Sequence, residues 1–176
     1  MTKIVLDTNV LISALIRTGK PRALILEIVE GKAQLILSRD ILEEFAKTTA
    51  NPKIRRYIDL QDTTEFLKII GSLAKIVRIK SKFKVVNQDP DDDIILRTAY
   101  DGKADYIVSG DEHLLTLKTF KGTKIVNIAA MLEILKYEYR QPCARELRHD
   151  RAQLPGVRKG ARDKQRSNKP RRLAIF

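Results

Sequence analysis

Short apolar runs alternate with amphipathic segments along most of the chain. Residues 2–6 form a run that contains Ile and Val and is bounded by polar residues, a pattern typical of a buried strand. Runs of the same kind predict further strands at 33–37, 76–79, 105–109 and 124–128. Apolar residues at helical spacing predict helices at 10–16, 22–30, 39–49, 53–57, 60–74, 91–100, 112–117 and 129–136. Asn9 is the expected N-cap of the first helix.

The repeated alternation of strand-like and helix-like segments predicts an α/β fold. Consecutive βα units give parallel strands, and their crossover helices cover both faces of the sheet. We therefore expect a three-layer α/β/α domain with a central, mainly parallel sheet of about five strands. The periodicity fails from Tyr137 onward, which places this domain at residues 1–136.

Residues 137–176 form a basic segment of different composition. They hold 12 Lys and Arg against 4 Asp and Glu, and so supply +8 of the formal net charge of +12. Their sparse apolar content predicts a flexible C-terminal extension. Positive charge attracts polyanions such as RNA, and the candidate RNA-binding residues are Arg140, Arg145, Arg148 and Arg151. An extension that becomes ordered only on a partner is the alternative.

The composition excludes several classes of protein. No apolar stretch approaches the ~20 residues that cross a bilayer, and the polar N-terminus runs directly into the first strand, without the features of a signal peptide. Cys143 is the only cysteine, so neither an intramolecular disulfide nor a zinc ribbon is expected. These features predict a cytoplasmic protein with no membrane contact.

Acidic residues lie beside the predicted strand ends. Asp7 follows the first strand and Asp111 follows the fourth, so both are expected in the crevice at the carboxyl ends of parallel strands. Each would also serve as an ordinary helix cap. Glu43 and Glu44 lie in the middle of the third helix and point about 100° apart. Physical reasoning from the sequence does not decide which of the two faces the crevice.

The densest acidic segment is Asp89-Pro90-Asp91-Asp92-Asp93 at a predicted helix N-terminus, with more acids than capping needs. Carboxylates that converge on one crevice repel each other strongly unless a cation lies among them. Hard oxygen ligands without His or Cys favour Mg²⁺ or Mn²⁺ over Zn²⁺. Such a cation beside basic surface suits phosphodiester hydrolysis, because it polarises a phosphate oxygen and makes a water more acidic.

The acid-bearing segments resemble the motifs of the PIN domain family, in the same order along the chain. They are residues 4–11, 38–45, 89–92 and 106–115, within a resemblance that spans about residues 2–136. PIN domains of this size resemble the VapC-like toxin subunits of toxin–antitoxin pairs, which are Mg²⁺- or Mn²⁺-dependent ribonucleases. The resemblance therefore implies an RNA substrate, a cognate antitoxin protein and a homodimer.

The resemblance also assigns the acidic positions. It places the family's second acid on Glu44 rather than Glu43 and its third on Asp92, while Asp7 and Asp111 match the first and fourth. All four acids are implied to be catalytic. Three of them are implied to bind the metal, namely Asp7, Asp92 and Asp111, while Glu44 orients the attacking water.

Two polar positions are implied to support the site, Asn9 and Ser109. His113, close after the last motif, is expected to be a surface residue. The alternative functions are a catalytically silent RNA-binding or scaffold PIN protein, and a PIN-type nuclease that acts in RNA processing or on DNA. A haloacid-dehalogenase-like phosphatase is disfavoured because it needs a second Asp where this chain has Asn9.

Overall fold

The computed structural model describes residues 1–85 and 90–140. Within them the strands are β1 Thr2–Leu6, β2 Ala33–Ser38, β3 Lys75–Val77, β4 Tyr106–Val108, β5 Thr119–Phe120 and β6 Thr123–Val126. The helices are α1 Thr8–Ile16, α2 Lys20–Val29, α3 Arg39–Ala50, α4 Pro52–Arg55, α5 Leu60–Leu73, α6 Pro90–Gly102, α7 Glu112–Leu117 and α8 Ile128–Arg140.

The strands form one sheet in the order β3-β2-β1-β4-β6-β5. All pairings between neighbours are parallel except that of β5 with β6. The helices pack around this sheet, and β1 at its centre buries Ile4, Val5 and Leu6 completely. The predicted α/β fold with a mainly parallel central sheet is confirmed, with six strands instead of about five.

The additional strand, β5, pairs with β6 through a tight hairpin. Lys121 and Gly122 form the turn with positive φ angles of 45° and 91°. Positive φ at both central residues is the geometry of the two-residue turns that match strand twist. With only Thr119 and Phe120 in it, β5 is too short to leave a periodic pattern in the sequence.

Several helix boundaries differ from the prediction by one to four residues, and those of α1 and α8 are the most informative. α1 begins at Thr8 and its N-cap is Asp7, whose carboxylate accepts a hydrogen bond from the Asn9 backbone N–H. The expected cap, Asn9, thus lies inside the helix. α8 continues to Arg140, four residues past its predicted end at Lys136. Among the described helices, none has the length and apolar character to cross a membrane.

Close packing fixes α6 against the centre of the sheet. α6 contacts β1, β2, β3 and β4. At its last residue, Gly102, a Cβ would come within 2.6 Å of the Ile36 Cγ2 atom, which belongs to a fully buried side chain. Glycine therefore allows the end of α6 to lie directly on β2.

Candidate active site

The strand register brings polar residues together at one edge of the sheet. Leu6 pairs with Val108 and Val5 pairs with Ile36. When these registers are continued past the strand ends, Asp7 lies between Ser109 on one side and Ser38 on the other. This is the carboxyl edge of the parallel strands, where open α/β sheets bind their ligands.

Asp7 is buried, with 3% of its surface exposed. Its Oδ1 atom accepts the α1-capping hydrogen bond from Asn9 N at 3.0 Å. Its Oδ2 atom accepts a short hydrogen bond from the Ser109 hydroxyl, and Ser109 is fully buried. The capping role expected of an Asp at this position is real, but it uses one carboxylate oxygen. The second oxygen is directed across the strand ends.

Ser109 also connects Asp7 to the loop that carries Asp111. The Asp111 backbone N–H donates to the Ser109 Oγ atom at 2.9 Å, while the half-buried Asp111 carboxylate caps α7 through His113 N at 2.7 Å. One hydroxyl therefore ties two of the four acidic residues together. The His113 side chain is exposed, as expected.

The two neighbouring glutamates of α3 occupy different environments. Glu44 is half-buried, and its Oε2 atom accepts a 2.8 Å hydrogen bond from the Thr8 hydroxyl, which is itself buried. Glu43 is exposed. Thr8 directly follows Asp7 in the chain. This hydrogen bond therefore holds the Glu44 carboxylate against the residue next to Asp7, the acid at the centre of the sheet edge.

Thr8 was not singled out by sequence reasoning. A hydroxyl directly after a strand-end Asp is a weak signal, since Thr8 also fits the first turn of a helix. A second polar contact of this kind joins β2 to α6, where the Ser38 and Thr98 hydroxyl oxygens lie 2.9 Å apart in the protein interior. These bonds hold α3 and α6 in place beside the acidic residues.

The acidic residues within 89–93, at the start of α6, lie in different surroundings. Asp92 is buried, with 7% of its surface exposed. Asp93 is also buried; its carboxylate accepts the Val85 backbone N–H at 2.8 Å and lies 3.6 Å from Arg97 Nη2. Asp93 thereby anchors the chain that leads to α6. Asp89 lies outside the described residues.

In residues 1–85 and 90–140, no three Asp, Glu, His or Cys side chains are grouped so as to hold a metal ion by themselves. Mg²⁺ typically binds through one or two carboxylates and keeps waters and substrate phosphates as its other ligands. Asp7 and Asp92 are both buried, and each carries carboxylate oxygens of the kind that this mode of binding uses.

Most of the RNA-binding residues predicted in the extension lie outside the described residues. Arg145, Arg148 and Arg151 lie outside the described residues, as does Cys143. Arg140 ends α8. The division at residue 136 stays a prediction.

Comparison with known proteins places this chain in a family. The family model described as PIN domain matches residues 3–113. An uncharacterised protein of Methanocaldococcus jannaschii is 37% identical over 131 residues, covering 72% of this chain and 82% of that protein. The fold is similar to a chain in the crystal structure of VapBC2 from Rickettsia felis bound to a DNA fragment from their promoter. That similarity has a TM-score of 0.50 at 16% identity, over 72% of this chain and 98% of the other.

Proposed function

This chain belongs to the PIN domain family, whose members are generally nucleases, and we propose that it is a divalent-metal-dependent endoribonuclease. The observation that carries the proposal is the Asp7 carboxylate at the carboxyl edge of the sheet. This carboxylate is 3% exposed, and one of its oxygens caps α1 by accepting the Asn9 backbone N–H. The other oxygen accepts the hydrogen bond from the Ser109 hydroxyl, which in turn accepts the Asp111 backbone N–H. A buried carboxylate in this position is stabilised when a cation joins it.

Asp7, Asp92 and Asp111 are the residues that would hold the cation. Mg²⁺ and Mn²⁺ both suit these oxygen donors, and a bound cation would neutralise phosphate charge and make water more acidic. Ser109 positions the acids by its hydrogen bonds to Asp7 and to the Asp111 backbone. Asn9 contributes the backbone N–H that orients the Asp7 carboxylate.

Glu44 is the residue proposed to orient the attacking water. Thr8 holds its carboxylate by a 2.8 Å hydrogen bond, and a carboxylate accepts a proton from a water positioned beside it. Attack of this water on phosphorus breaks the bond to the 3′ oxygen of the preceding nucleotide, and that oxygen takes up a proton from solvent. The products are a 3′-hydroxyl and a 5′-phosphate.

We further propose that the protein is the toxin of a toxin–antitoxin pair, forms a homodimer and has an antitoxin protein as its partner. The motif resemblance to VapC-like toxins supports this proposal. The likeness to a chain of the VapBC2 structure is consistent with it and supports the shared fold.

Metal-dependent cleavage of RNA is the first test. The full chain incubated with total RNA is expected to produce fragments in the presence of Mn²⁺ or Mg²⁺, and EDTA is expected to abolish them because the acids then lack a cation. Sequencing of fragment ends should find 5′-phosphates. Binding of RNA without any metal-dependent cleavage would contradict the enzyme and favour the silent RNA-binding alternative.

The neighbouring glutamates provide a matched pair of variants. Glu44→Gln is expected to lower the cleavage rate by about 10²-fold, because the amide keeps the Thr8 hydrogen bond and loses the charge that accepts a proton. The exposed Glu43→Gln removes the same charge one residue away and should stay within about twofold of the wild type. Equal losses in both variants, measured as initial rates on one labelled RNA, would refute the role of Glu44.

A further inference from the structure

Residues 78–85, here called the basic strap, connect β3 toward α6 and carry a regular pattern of charge. The strap has cations at alternate positions, all of them exposed, namely Arg78, Lys80, Lys82 and Lys84. The intervening residues Ile79, Ser81 and Phe83 are half-buried. Within the described residues, none of the four cations takes part in a salt bridge. The strap therefore presents a line of exposed positive charge.

Side chains on one face of α6 hold the strap in place. Asp101 accepts the backbone N–H groups of Lys80 and Ser81 at 2.6 and 2.9 Å. Arg97 Nε donates to the Phe83 carbonyl at 2.8 Å, and Asp93 accepts the Val85 N–H at 2.8 Å. Positions four apart lie on one helix face, so these three side chains form a continuous row along α6.

The spacing of these anchors shows that the strap is extended and antiparallel to α6. Asp93 and Asp101 are eight residues apart in a helix, which corresponds to about 12 Å. Their partners Val85 and Ser81 are four residues apart, or about 13 Å in an extended chain. The two lengths agree. In such a chain alternate side chains point the same way, about 6.6 Å apart.

The anchoring at Asp101 is electrostatically favourable. Burial raises the pKa of Asp101, but the backbone N–H groups of Ser81 and Lys80, the Ser81 hydroxyl and the nearby positive charge of Lys80 outweigh it, so that the pKa lies below its ordinary value. Asp101 is therefore charged at neutral pH. It binds the strap through two backbone N–H groups and the Ser81 hydroxyl, and the Lys80 side chain stays exposed.

An aromatic cluster fixes the middle of the strap and adds a cation to it. The Phe83 ring lies 5.6 Å from Tyr100 and 5.2 Å from Phe120, centroid to centroid. The Lys121 ammonium lies 4.3 Å from the Phe83 centroid and 4.6 Å from that of Tyr100. Cation–π attraction holds this charge beside the strap. Phe120 belongs to β5, so the strap reaches from one edge strand of the sheet to the other.

Both ends of the strap lie beside residues that are next in sequence to, or on the same helix as, residues of the proposed active site. At its start, Arg78 and Ile79 line a cleft of about 760 Å³ together with Arg39 and Glu43 of α3, the helix that carries Glu44. At its other end, Val85 is bonded to Asp93, the neighbour of Asp92.

We propose that the basic strap, together with Lys121, binds the sugar–phosphate backbone of single-stranded RNA and directs it to the acidic site. A single line of cations at regular spacing matches one extended phosphate backbone, which is the recognition mode of single-strand binding grooves. The fixed, extended backbone of the strap reduces the entropy lost when RNA binds. This inference rests on the proposed function for the identity of the nucleic acid.

Binding is tested separately from cleavage in full-length protein that carries Asp7→Asn. The probe is a fluorescein-labelled oligouridylate of about 12 nucleotides, followed by anisotropy in EDTA at several salt concentrations. Strap variants Lys80→Gln, Lys82→Gln and Lys84→Gln are combined. The matched control combines Lys20→Gln, Lys53→Gln and Lys68→Gln, which removes three exposed charges from other parts of the chain.

The triple strap variant is expected to bind the oligouridylate at least about tenfold more weakly than the protein with an unchanged strap. The magnitude of the slope of log association constant against log salt concentration should fall by about 2, while the affinity of the control variant stays within about threefold. The combined variants Lys80→Arg, Lys82→Arg and Lys84→Arg keep the charge and should bind like the wild-type strap. Thermal unfolding of each variant reports folding. Equal losses in strap and control variants would overturn the proposal, and so would an equal strap effect on a duplex of the same length.

The two proposals fail in distinguishable ways. Wild-type cleavage of RNA with an unchanged affinity of the strap variant would reject the strap and retain the ribonuclease. Strap-dependent binding without metal-dependent cleavage by the wild type would reject the ribonuclease and retain the strap as an RNA-binding surface.

Discussion

Asp7→Asn is expected to lower RNA cleavage by at least about 10³-fold while the fold is retained. The asparagine oxygen can still accept the Asn9 backbone N–H and cap α1, since the substitution preserves the shape of the side chain. It removes the negative charge that the buried position would offer to a cation. Activity should therefore fall far more than stability. Initial cleavage rates and urea unfolding of the same preparation measure the two quantities.

Two further variants separate chemistry from capping. Asp59→Asn changes another N-cap, the exposed residue that accepts Asp62 N at the start of α5, and should leave cleavage unaltered. Asp7→Ala removes charge and cap together and should cost about 1 kcal/mol of stability beyond Asp7→Asn. Full activity of Asp7→Asn would show that Asp7 is a helix cap and nothing more.

Phe45→Ala is expected to lower the free energy of unfolding by about 3–5 kcal/mol. Phe45 is 1% exposed, and its ring stacks on Phe66 with centroids 5.8 Å apart. The substitution removes most of the side-chain volume at a position that close packing prevents from collapsing fully. Because Glu44 is the adjacent residue, the loss of this packing should also loosen the helix that positions the Glu44 carboxylate beside Thr8.

The measurement is the urea midpoint, with the slope of the transition checked for constancy. Leu26→Ala is the control, because Leu26 is a large apolar side chain that is 55% exposed, and it should change stability by less than about 0.5 kcal/mol. A Phe45→Ala protein within 1 kcal/mol of the wild type would mean that α3 is not held by this contact.

The sequence predicted the βα framework well because its signals are local. β1 was predicted with the bounds Thr2–Leu6 that the structure has, and α7 with the bounds Glu112–Leu117. Both carry several apolar residues in a clear period beside a polar boundary. β5 was missed because a two-residue strand owes its existence to the hairpin turn and to its partner strand.

The sequence by itself predicted only part of the candidate site. Strand-end positions predicted that Asp7 and Asp111 lie at the carboxyl edge of the sheet, since this follows from parallel topology alone. The choice of Glu44 over Glu43 depended on family resemblance, because two adjacent helical residues have the same local signals. In the structure Thr8 contacts Glu44 while Glu43 is exposed. That contact spans 36 residues of sequence.

The acids of α6 show the same division. Their clustering was evident from the sequence, but the roles of adjacent Asp residues were not, and Asp93 proved to anchor Val85. The cations at alternate positions of the strap are likewise evident from the sequence. Their alignment along α6 arises from contacts of Asp93, Arg97 and Asp101 with residues up to 21 positions away. By itself, the sequence determined the order of elements, the charge pattern and the acidic residues at strand ends. Only the tertiary structure decided which polar groups meet, because hydrogen bonds between distant segments depend on register and packing, which no local period specifies.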